Sequence, residues 1–411
     1  MSLVIMKFGG SSLANADKIK HVAERIIVKK KDGNKVVAVV SAPGDTTDDL
    51  IKMVDKIACN PPVREVDMLL ATGEMVSISL LAMAIDAMGE EVISMTGPQA
   101  GILANEDYTR ARIKKINPQK INDQLAKDNI VIVAGFQALN PRGDVTTLGR
   151  GGSDLTAVAL AVALKSDLCE IYSDVEGVYT ADPRVVKDAR KIDYISYDEM
   201  LEMAGSGSQV LQSRSVEVAK KFNVVIHSKS TFSESEGTII TSEEKIKEKK
   251  MESFLLSGIS FDKSQVKFTI SVFDASGIVT EIFSRCSEVG INIDMLDQSV
   301  LNKSNTISFI VNRSDMKKTQ EELDKMTLDF KASVSCNEHI AKISIIGVGV
   351  KSHSVVAAKM FKILHKSGID VNMVSISEIK ISCIISESDV LKAVEELHKG
   401  FGLSKKRVDL D

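Results

Sequence analysis

Short apolar runs alternate with helical patterns along the first 241 residues of the chain. Continuous apolar runs are typical of parallel strands that are covered on both faces, and their alternation with helices predicts βαβ units. We therefore expect an α/β fold, with a mostly parallel three-layer αβα domain. The predicted strands are Leu3–Phe8, Lys35–Ser41, Val92–Met95, Ile130–Phe136, Cys169–Ser173 and Val224–Ser228.

The C-terminal part of the chain contains one pattern twice. The segment GINIDM at Gly290–Met295 aligns with GIDVNM at Gly368–Met373. Each copy reads strand, helix, strand, strand, helix, strand, which predicts two ferredoxin-like βαββαβ units. The apolar segment Phe254–Phe261 is surplus to the first unit and is expected to complete the second.

A charge-dense stretch separates the two parts of the chain and is expected to be a solvated linker. The predicted division is residues 1–242 for the α/β domain, 243–252 for the linker, 266–339 for the first ferredoxin-like unit, and 253–265 with 340–411 for the second.

Composition excludes several classes of function. The 411 residues carry a net charge of −4, which argues against nucleic acid as a partner. No apolar run is expected to approach the roughly 18 residues of a membrane span, and Val4–Met6 lacks the context of a signal peptide, so we expect no membrane partner and a cytoplasmic location. Five unpatterned cysteines indicate reduced core thiols, and six scattered histidines predict no transition-metal site.

Two glycine-serine loops carry the strongest functional signal: KFGGSS at Lys7–Ser12 and LGRGGSD at Leu148–Asp154. Each loop follows a strand and opens a helix, so its backbone N–H groups converge where negative charge is already favoured. Two such anion sites in one domain indicate that a donor phosphate and an acceptor group face each other. This arrangement is typical of a small-molecule phosphotransferase.

Several side chains of these motifs have both a structural and a functional interpretation. Arg150 offers a fork for a carboxylate, whereas Ser153 or Asp154 could simply cap the following helix. Glu74 is a lone carboxylate in an apolar helical run, and its partner would be either a substrate ammonium or a protein cation. Ser41 and Thr47 are ordinary turn residues on this basis.

The loop that follows the strand Cys169–Ser173 carries further polar residues. Asp174 and Asp182 flank a glycine-containing turn and are placed for contacts to ribose, or to Mg²⁺ through water, although turn roles are equally compatible. Arg184 would neutralise phosphate.

The ordered motifs KFGGSS, SAPGDTTDDL, LLATGE, VTTLGRGGSD and SDVEGVYTADPR, followed by a doubled C-terminal unit, resemble the monofunctional aspartate kinases of the amino acid kinase superfamily. The resemblance covers nearly the whole chain. It implies transfer of the ATP γ-phosphate to the β-carboxylate of L-aspartate, with MgATP as co-substrate. Such a nucleophile is already ionised at neutral pH, so no general base is required.

The resemblance also implies residue roles. Lys7 and Asp154 would be catalytic, with Asp154 organising Lys7 and the metal-bound phosphate. In GSGSQVLQ, Gln209 departs from the lysine usual in the family. The nucleotide would be bordered by Lys7, Gly9, Gly10, Ser173, Asp174, Tyr179, Asp182 and Arg184. Aspartate would be held by Ser41, Thr47, Glu74, Arg150, Gly151, Gly152 and Ser153.

The two C-terminal units resemble ACT domains, which bind amino acids where two of them pair. The family implies feedback inhibition by lysine, threonine or both, and a homodimer or dimer of dimers formed through these domains. The effector residues would be Asp274, Gly277, Ile278, Asp294, Gln298, Asn372 and Glu378. For Asp274 and Asp294, strand-end capping is the structural alternative.

Two other functions compete with this interpretation. One is an acid kinase of the same superfamily that acts on glutamate or acetylglutamate. The other is a degenerate amino acid sensor that binds an effector without catalysis, for which Gln209 is the only support.

Overall fold

The computed structural model describes residues 2–207, 210–247, 256–273, 277–301, 304–330, 332–348, 350–352 and 354–405. The chain forms two compact units. The first unit comprises Met1–Val178, Lys191–Ala204 and Gln209–Ser253, and the second comprises Tyr179–Arg190, Gly205–Ser208 and Phe254–Asp411. Two short segments within the predicted α/β domain therefore belong to the second unit, which the linear division by sequence did not foresee.

The first unit alternates strands and helices, as the apolar runs predict. Its elements are β1 (Leu3–Phe8), α1 (Ala16–Lys31), β2 (Lys35–Val40), α2 (Thr46–Ile57), α3 (Val63–Leu70), α4 (Thr72–Ala87), β3 (Val92–Met95), β4 (Ile102–Ala104), β5 (Ile113–Ile116), α5 (Gln119–Leu125), β6 (Ile130–Ala134), β7 (Gln137–Leu139), β8 (Val145–Thr147), α6 (Gly152–Leu164), β9 (Leu168–Ser173), β10 (Tyr194–Ser196), α7 (Tyr197–Gly205), α8 (Ser213–Phe222), β11 (Val225–Ser230), β12 (Thr238–Thr241) and α9 (Glu243–Lys247).

The main sheet of the first unit has the strand order β10–β12–β11–β9–β1–β2–β6–β3, and only the β11–β12 pair is antiparallel. Strands β2 and β6 are buried along almost their whole length because the sheet is covered on both faces. The predicted fold class is confirmed. A second small sheet, β5–β4–β7–β8, was not predicted.

The helical stretch Val63–Ala87, which joins α3 and α4, is long and apolar enough to cross a membrane by length and composition. The expectation that no apolar run approaches this length was therefore wrong. Ile78, Leu81 and Ile85 of this stretch are buried in the core of the first unit together with residues of α1 and β2. One face of this stretch thus packs in the core of the first unit, whereas Met75, Leu80 and Met83 on the same stretch are exposed.

The second unit contains both predicted βαββαβ repeats in one sheet of order β14–β15–β13–β16–β18–β17. Its elements are β13 (Leu256–Phe273), α10 (Ile278–Glu288), β14 (Leu296–Leu301), β15 (Ser304–Asn312), α11 (Met316–Phe330), β16 (Ser333–Gly347), α12 (Ser354–Lys366), β17 (Met373–Ile376), β18 (Lys380–Ser386) and α13 (Val390–Phe401).

The long strands β13 and β16 each serve both repeats. The part of β13 from Leu256 to Asp262 pairs with the second half of β16, whereas its later part pairs with β15 and the first half of β16. The surplus segment therefore pairs with the part of β16 that the sequence assigns to the second repeat. Among the cysteines, Cys59 and Cys336 are exposed, so the expectation of core thiols holds only for the other three.

The segment Tyr179–Arg190 packs within the second unit. Ala181 and Val186 are buried in the apolar core of the second repeat. The Thr180 carbonyl accepts a hydrogen bond from the Ile259 amide at 2.8 Å, and Thr180 Oγ1 lies 3.0 Å from Nε2 of the buried His398. The chain therefore leaves the first unit after Val178 and returns at Lys191.

Candidate active site

A cavity of about 450 Å³ opens in the first unit beside the carboxyl ends of β1 and β2. Lys7 and Arg150, which come from the two glycine-serine loops, both line it. The two anion sites predicted from sequence therefore face one space. The lining residues are Lys7, Gly10, Ser41, Ala42, Gly44, Thr47, Asp48, Ile51, Val66, Leu70, Glu74, Thr109, Phe136, Thr147, Gly149, Arg150, Gly151, Gly152, Ser153 and Asp154.

The first loop is shaped by a close backbone approach at Gly10. A Cβ atom at Gly10 would lie only 2.7 Å from the Ala42 carbonyl oxygen and 2.8 Å from that of Gly44. Glycine is required at this position because a side chain would push the first loop away from the segment Ala42–Gly44. The Gly9 amide donates to the Tyr172 carbonyl at 3.1 Å, which ties the loop to β9.

Lys7 and Asp154 form an ion pair inside the cavity. Lys7 Nζ lies 2.7 Å from Asp154 Oδ1, and the two side chains are only 12% and 10% exposed. Asp154 lies in the first turn of α6, whose N-cap is Gly151 in the left-handed conformation, and no side chain caps that end. The capping alternative for Ser153 or Asp154 is therefore wrong, and the carboxylate is directed to the lysine.

The second loop is held at Arg150 by Gln212 of the segment before α8. Gln212 Nε2 donates to the Arg150 carbonyl at 2.6 Å, and the Gln212 amide lies 3.4 Å from Asp154 Oδ2. Gly151 has a φ of +69°, and a Cβ there would lie 2.8 Å from the Gln212 side chain. Both the backbone conformation and the space therefore demand glycine.

Glu74 also lines the cavity and is buried, with only 2% of its surface exposed. Its Oε1 accepts a hydrogen bond from the Ala42 amide at 3.1 Å, whereas its Oε2 has no hydrogen-bond partner among the described residues. Desolvation raises the pKa of Glu74 from 4.5 to about 7. No lysine or arginine of the described residues pairs with it, so the structure leaves this carboxyl open toward a cation from outside.

The remaining substrate residues predicted from sequence lie in the same cavity. Ser41 follows β2, and Thr47 lies in the first turn of α2. Gly152 and Ser153 begin α6. The structure therefore brings together the whole predicted acceptor set.

The predicted nucleotide residues are divided. Ser173 ends β9, and Asp174 follows it as an exposed residue of the first unit. Tyr179, Asp182 and Arg184 belong to the second unit. Arg184 donates to both carboxylate oxygens of Asp182, which lowers the pKa of Asp182. Gln209 lies outside the described residues.

The predicted effector residues are spread over both repeats of the second unit. Gly277 and Ile278 begin α10, and Gln298 Nε2 lies 3.4 Å from Asn305 Oδ1. Glu378 pairs with Lys351 at 2.8 Å. Asp274 lies outside the described residues.

Asp294 and Asn372 occupy equivalent positions in the two repeats. The Asp294 amide donates to the Ile310 carbonyl at 3.0 Å, and the Asn372 amide donates to the Ile384 carbonyl at 2.8 Å. The Asp294 carboxylate also accepts a hydrogen bond from the buried side chain of Lys342. The carboxylate is thus engaged by a cation, which strand-end capping does not account for.

Sequence reasoning missed three residues that support the cavity: Asp67 on α3, Gln212, and Arg214 on α8. Each makes hydrogen bonds to the loops that line the cavity. Their only signal in the sequence was polarity, because VREVDMLL and LQSRSVEVAK are ordinary amphipathic patterns.

Comparison with known proteins agrees with the family resemblance of the sequence motifs. Residues 2–228 match the amino acid kinase family, and residues 343–401 match an ACT domain. The chain is 44% identical over 409 residues to an aspartokinase from Mycolicibacterium smegmatis, covering 98% of this chain and 97% of that protein.

Two solved structures are similar in fold. Aspartokinase III from E. coli in complex with aspartate and ADP in the R-state has a TM-score of 0.82 at 21% identity, covering 98% of this chain and all of the other. The same enzyme in complex with lysine and aspartate in the T-state has a TM-score of 0.73 at 22% identity, covering 97% and 99% of the two chains. These two likenesses concern the fold alone.

Proposed function

Because this chain belongs to the aspartokinases of the amino acid kinase family, and is thus an ATP-dependent kinase, we propose that it transfers the ATP γ-phosphate to the β-carboxylate of L-aspartate. The products are 4-phospho-L-aspartate and ADP. ATP as the donor is a property of the family. Aspartate as the acceptor of this chain is the proposal, together with the cytoplasmic location and the regulation described below.

The observation that carries the proposal is the joint lining of one cavity by Lys7, Arg150 and Glu74. An amino acid acceptor needs a cation for its carboxylate and an anion for its ammonium. The planar guanidinium of Arg150 would bind the carboxylate, and Oε2 of Glu74, which has no hydrogen-bond partner within the described ranges, would bind the ammonium. Lys7 then remains for the phosphate, beside the glycines of the first loop.

The chemistry required of these residues is positioning and charge neutralisation. Acceptor and donor are both anionic, so they repel each other unless cations lie between them. Asp154 fixes Lys7 through the 2.7 Å ion pair, so that the ammonium points into the cavity without reorganising during the reaction. The acceptor carboxylate needs no base because it is already ionised at neutral pH.

Mg²⁺ is proposed to enter with ATP. This ion usually binds through one or two carboxylates together with phosphates and water, and Asp154 is a buried carboxylate lining the cavity that fits this demand. Bound there, the ion would neutralise phosphate charge. The described residues contain no cluster of three or more His, Cys, Asp or Glu side chains that would hold an ion without ATP.

A coupled ADP-release assay with L-aspartate, L-glutamate and N-acetylglutamate tests the proposal. We expect MgATP-dependent turnover on aspartate alone. Turnover on glutamate but not on aspartate would end the proposal. Binding of an amino acid with no turnover on any of the three would identify the chain as a degenerate sensor instead.

We further propose that lysine, threonine or both inhibit the enzyme by binding at the ACT units, and that these units pair in a homodimer or dimer of dimers. The lysine bound to the E. coli enzyme supports an amino acid effector. In this chain, the pair formed by Asp294 and Lys342 supports the predicted region, because a ligand ammonium would compete with Lys342 for the carboxylate. Titration of activity with each amino acid, separately and together, identifies the effector, and light scattering gives the subunit number.

A further inference from the structure

Asp67 is a fully buried carboxylate that lies just behind the cavity wall. Its oxygens accept hydrogen bonds from the backbone amides of Thr109 and Thr147, both at 2.9 Å, and from the hydroxyls of Thr146 at 2.9 Å and Thr147 at 2.6 Å. None of these donors is a cation, and the described residues place no lysine or arginine within ion-pair distance of it. A buried charge without a counter-ion is costly, so this one depends on its four donors.

Arg214 binds the same two segments of chain with the opposite charge. Its Nη1 donates to the Leu148 carbonyl at 2.6 Å, and its Nη2 donates to the Ala111 carbonyl at 3.0 Å. Between these contacts, the Ala111 amide donates to the Thr147 carbonyl at 2.9 Å. The Asp67 carboxylate thus joins one backbone N–H group of segment 109–111 to one of segment 147–148. The Arg214 guanidinium joins one backbone carbonyl of each segment in the same way.

The segment that contains Thr109 is strained. Thr109 has a φ of +65°, a left-handed conformation that a β-branched residue rarely adopts. Its amide lies within 3.1 Å of both oxygens of Asp67, and its carbonyl oxygen would be 3.1 Å from a Cβ at Gly149. Asp67 therefore holds an unfavourable backbone conformation directly against the residue before Arg150.

We propose that Asp67 and Arg214 are positioning residues for the phosphotransfer reaction, a charged clamp that holds Arg150 where it binds the carboxylate of the acceptor. This inference rests on the proposed function of the site. Neither side chain lines the cavity, so both act through the loops that do. Thr109, Thr147 and Gly149 are the lining residues that transmit the effect.

The clamp binds the second loop and not the first. The first glycine loop is tied to β9 and to the loop after β2 by backbone hydrogen bonds, and Lys7 is paired with Asp154; among the described residues neither makes a hydrogen bond or an ion pair with Asp67 or Arg214. Loosening the clamp should therefore weaken the binding of aspartate and leave the binding of ATP unchanged. A general loss of folding would impair both.

The experiment uses the full-length chain with three substitutions. Asp67→Asn replaces an acceptor oxygen by an amide donor, Arg214→Lys keeps the charge but cannot span two carbonyls, and Thr146→Val removes a single hydroxyl donor as the mildest change. Glu199→Gln is the matched control, because Glu199 is also buried and accepts hydrogen bonds from the amide and hydroxyl of Ser196, away from the cavity.

We expect Asp67→Asn and Arg214→Lys to raise KM for aspartate about tenfold, with KM for ATP within about twofold of wild type. Thr146→Val should change KM for aspartate in the same direction by a smaller factor, while Glu199→Gln leaves it unchanged. An equal rise of both KM values, or a change in aspartate KM no larger than that of Glu199→Gln, overturns the proposal.

Hydrogen exchange separates failure of the clamp from failure of the proposed function. In Asp67→Asn, peptides containing Thr109 and Thr147 should exchange faster than in wild type, while those of β1 and β2 keep their protection. If wild type does not phosphorylate aspartate, the proposed function falls, and unchanged exchange at Thr109 and Thr147 then overturns the clamp as well. If wild type is active and both exchange and KM are unchanged, only the clamp is wrong.

Discussion

Replacing Glu74 by glutamine should make the protein more stable and at the same time a poorer enzyme. The carboxyl is buried, one of its oxygens has no hydrogen-bond partner in the described part of the chain, and its pKa is raised from 4.5 to about 7. A charge placed there without a partner opposes folding. The same charge is what an ammonium group would need.

The magnitude follows from the pKa of Glu74. A rise from 4.5 to about 7 costs about 3 kcal/mol of folding free energy once the carboxyl is ionised, since each pKa unit is worth about 1.4 kcal/mol. The glutamine amide would itself lack an acceptor, which removes part of the gain. We therefore expect Glu74→Gln to raise the free energy of unfolding by about 1–3 kcal/mol at pH 8.

The gain should depend on pH in a defined direction. An acid whose pKa is raised by folding destabilises the folded state above that pKa, and the cost disappears below the unfolded value. The advantage of Glu74→Gln should thus be largest above pH 7 and shrink by about 2 kcal/mol on going from pH 8 to pH 5.5. Thermal unfolding of both proteins without substrate, at several pH values, measures this difference.

Function should change in the opposite sense. Loss of a charge-assisted hydrogen bond to the substrate ammonium should raise KM for aspartate about 10- to 100-fold, with little effect on KM for ATP. In wild type, KM for aspartate should rise as the pH falls below about 7, because the carboxyl becomes protonated, and this dependence should vanish in the variant.

Glu199→Gln is again a suitable control, since its carboxylate already has hydrogen-bond partners and its loss should destabilise the protein. If Glu74→Gln lowers stability at pH 8 and leaves KM for aspartate unchanged, the carboxyl is a structural acceptor for the Ala42 amide and the reasoning fails.

Three further predictions concern other parts of the molecule. Asp154→Asn should lower kcat about 100-fold or more while ADP still binds in calorimetry, because the ion pair that fixes Lys7 is lost; near-normal turnover would refute this role. Asp294→Asn should shift the inhibition curve of the effector amino acid to higher concentration with little change in kcat, since Lys342 loses its charged partner; an unmoved curve would contradict the effector region. Gly73→Ala should lower the free energy of unfolding by about 1–3 kcal/mol, because the new Cβ would lie 2.6 Å from that of Ala42. An unchanged unfolding temperature would show that α4 can move aside.

Sequence reasoning predicted the main sheet well because its strands are continuous apolar runs. Strand β3 has the predicted bounds, Val92–Met95, and β1 has the predicted bounds, Leu3–Phe8. The small sheet was missed because strands such as β7 and β8, with three residues each, are too short to show a period.

At the candidate site, it was easier to predict which residues line the cavity than which groups those residues bind. The sequence singled out Glu74 but left its partner open, because its burial, and the lack of a cationic partner among the residues that the structure describes, arise from tertiary packing. Asp67 gave no signal beyond its polarity, since its four donors come from β8 and the loop at Thr109, distant in sequence. Gln209 and the nucleotide contacts stay predictions.

The excursion of Tyr179–Arg190 limits how the protein can be divided. A truncated chain ending after Thr241 would retain this segment but lose the strands and helices that cover Ala181 and Val186. The apolar side chains of the segment would then face water, and an exposed hydrophobic patch of this kind favours aggregation. Cutting the chain after Thr241 to relieve the proposed feedback inhibition should therefore yield a fragment that aggregates, and point substitutions are the better way to test that regulation.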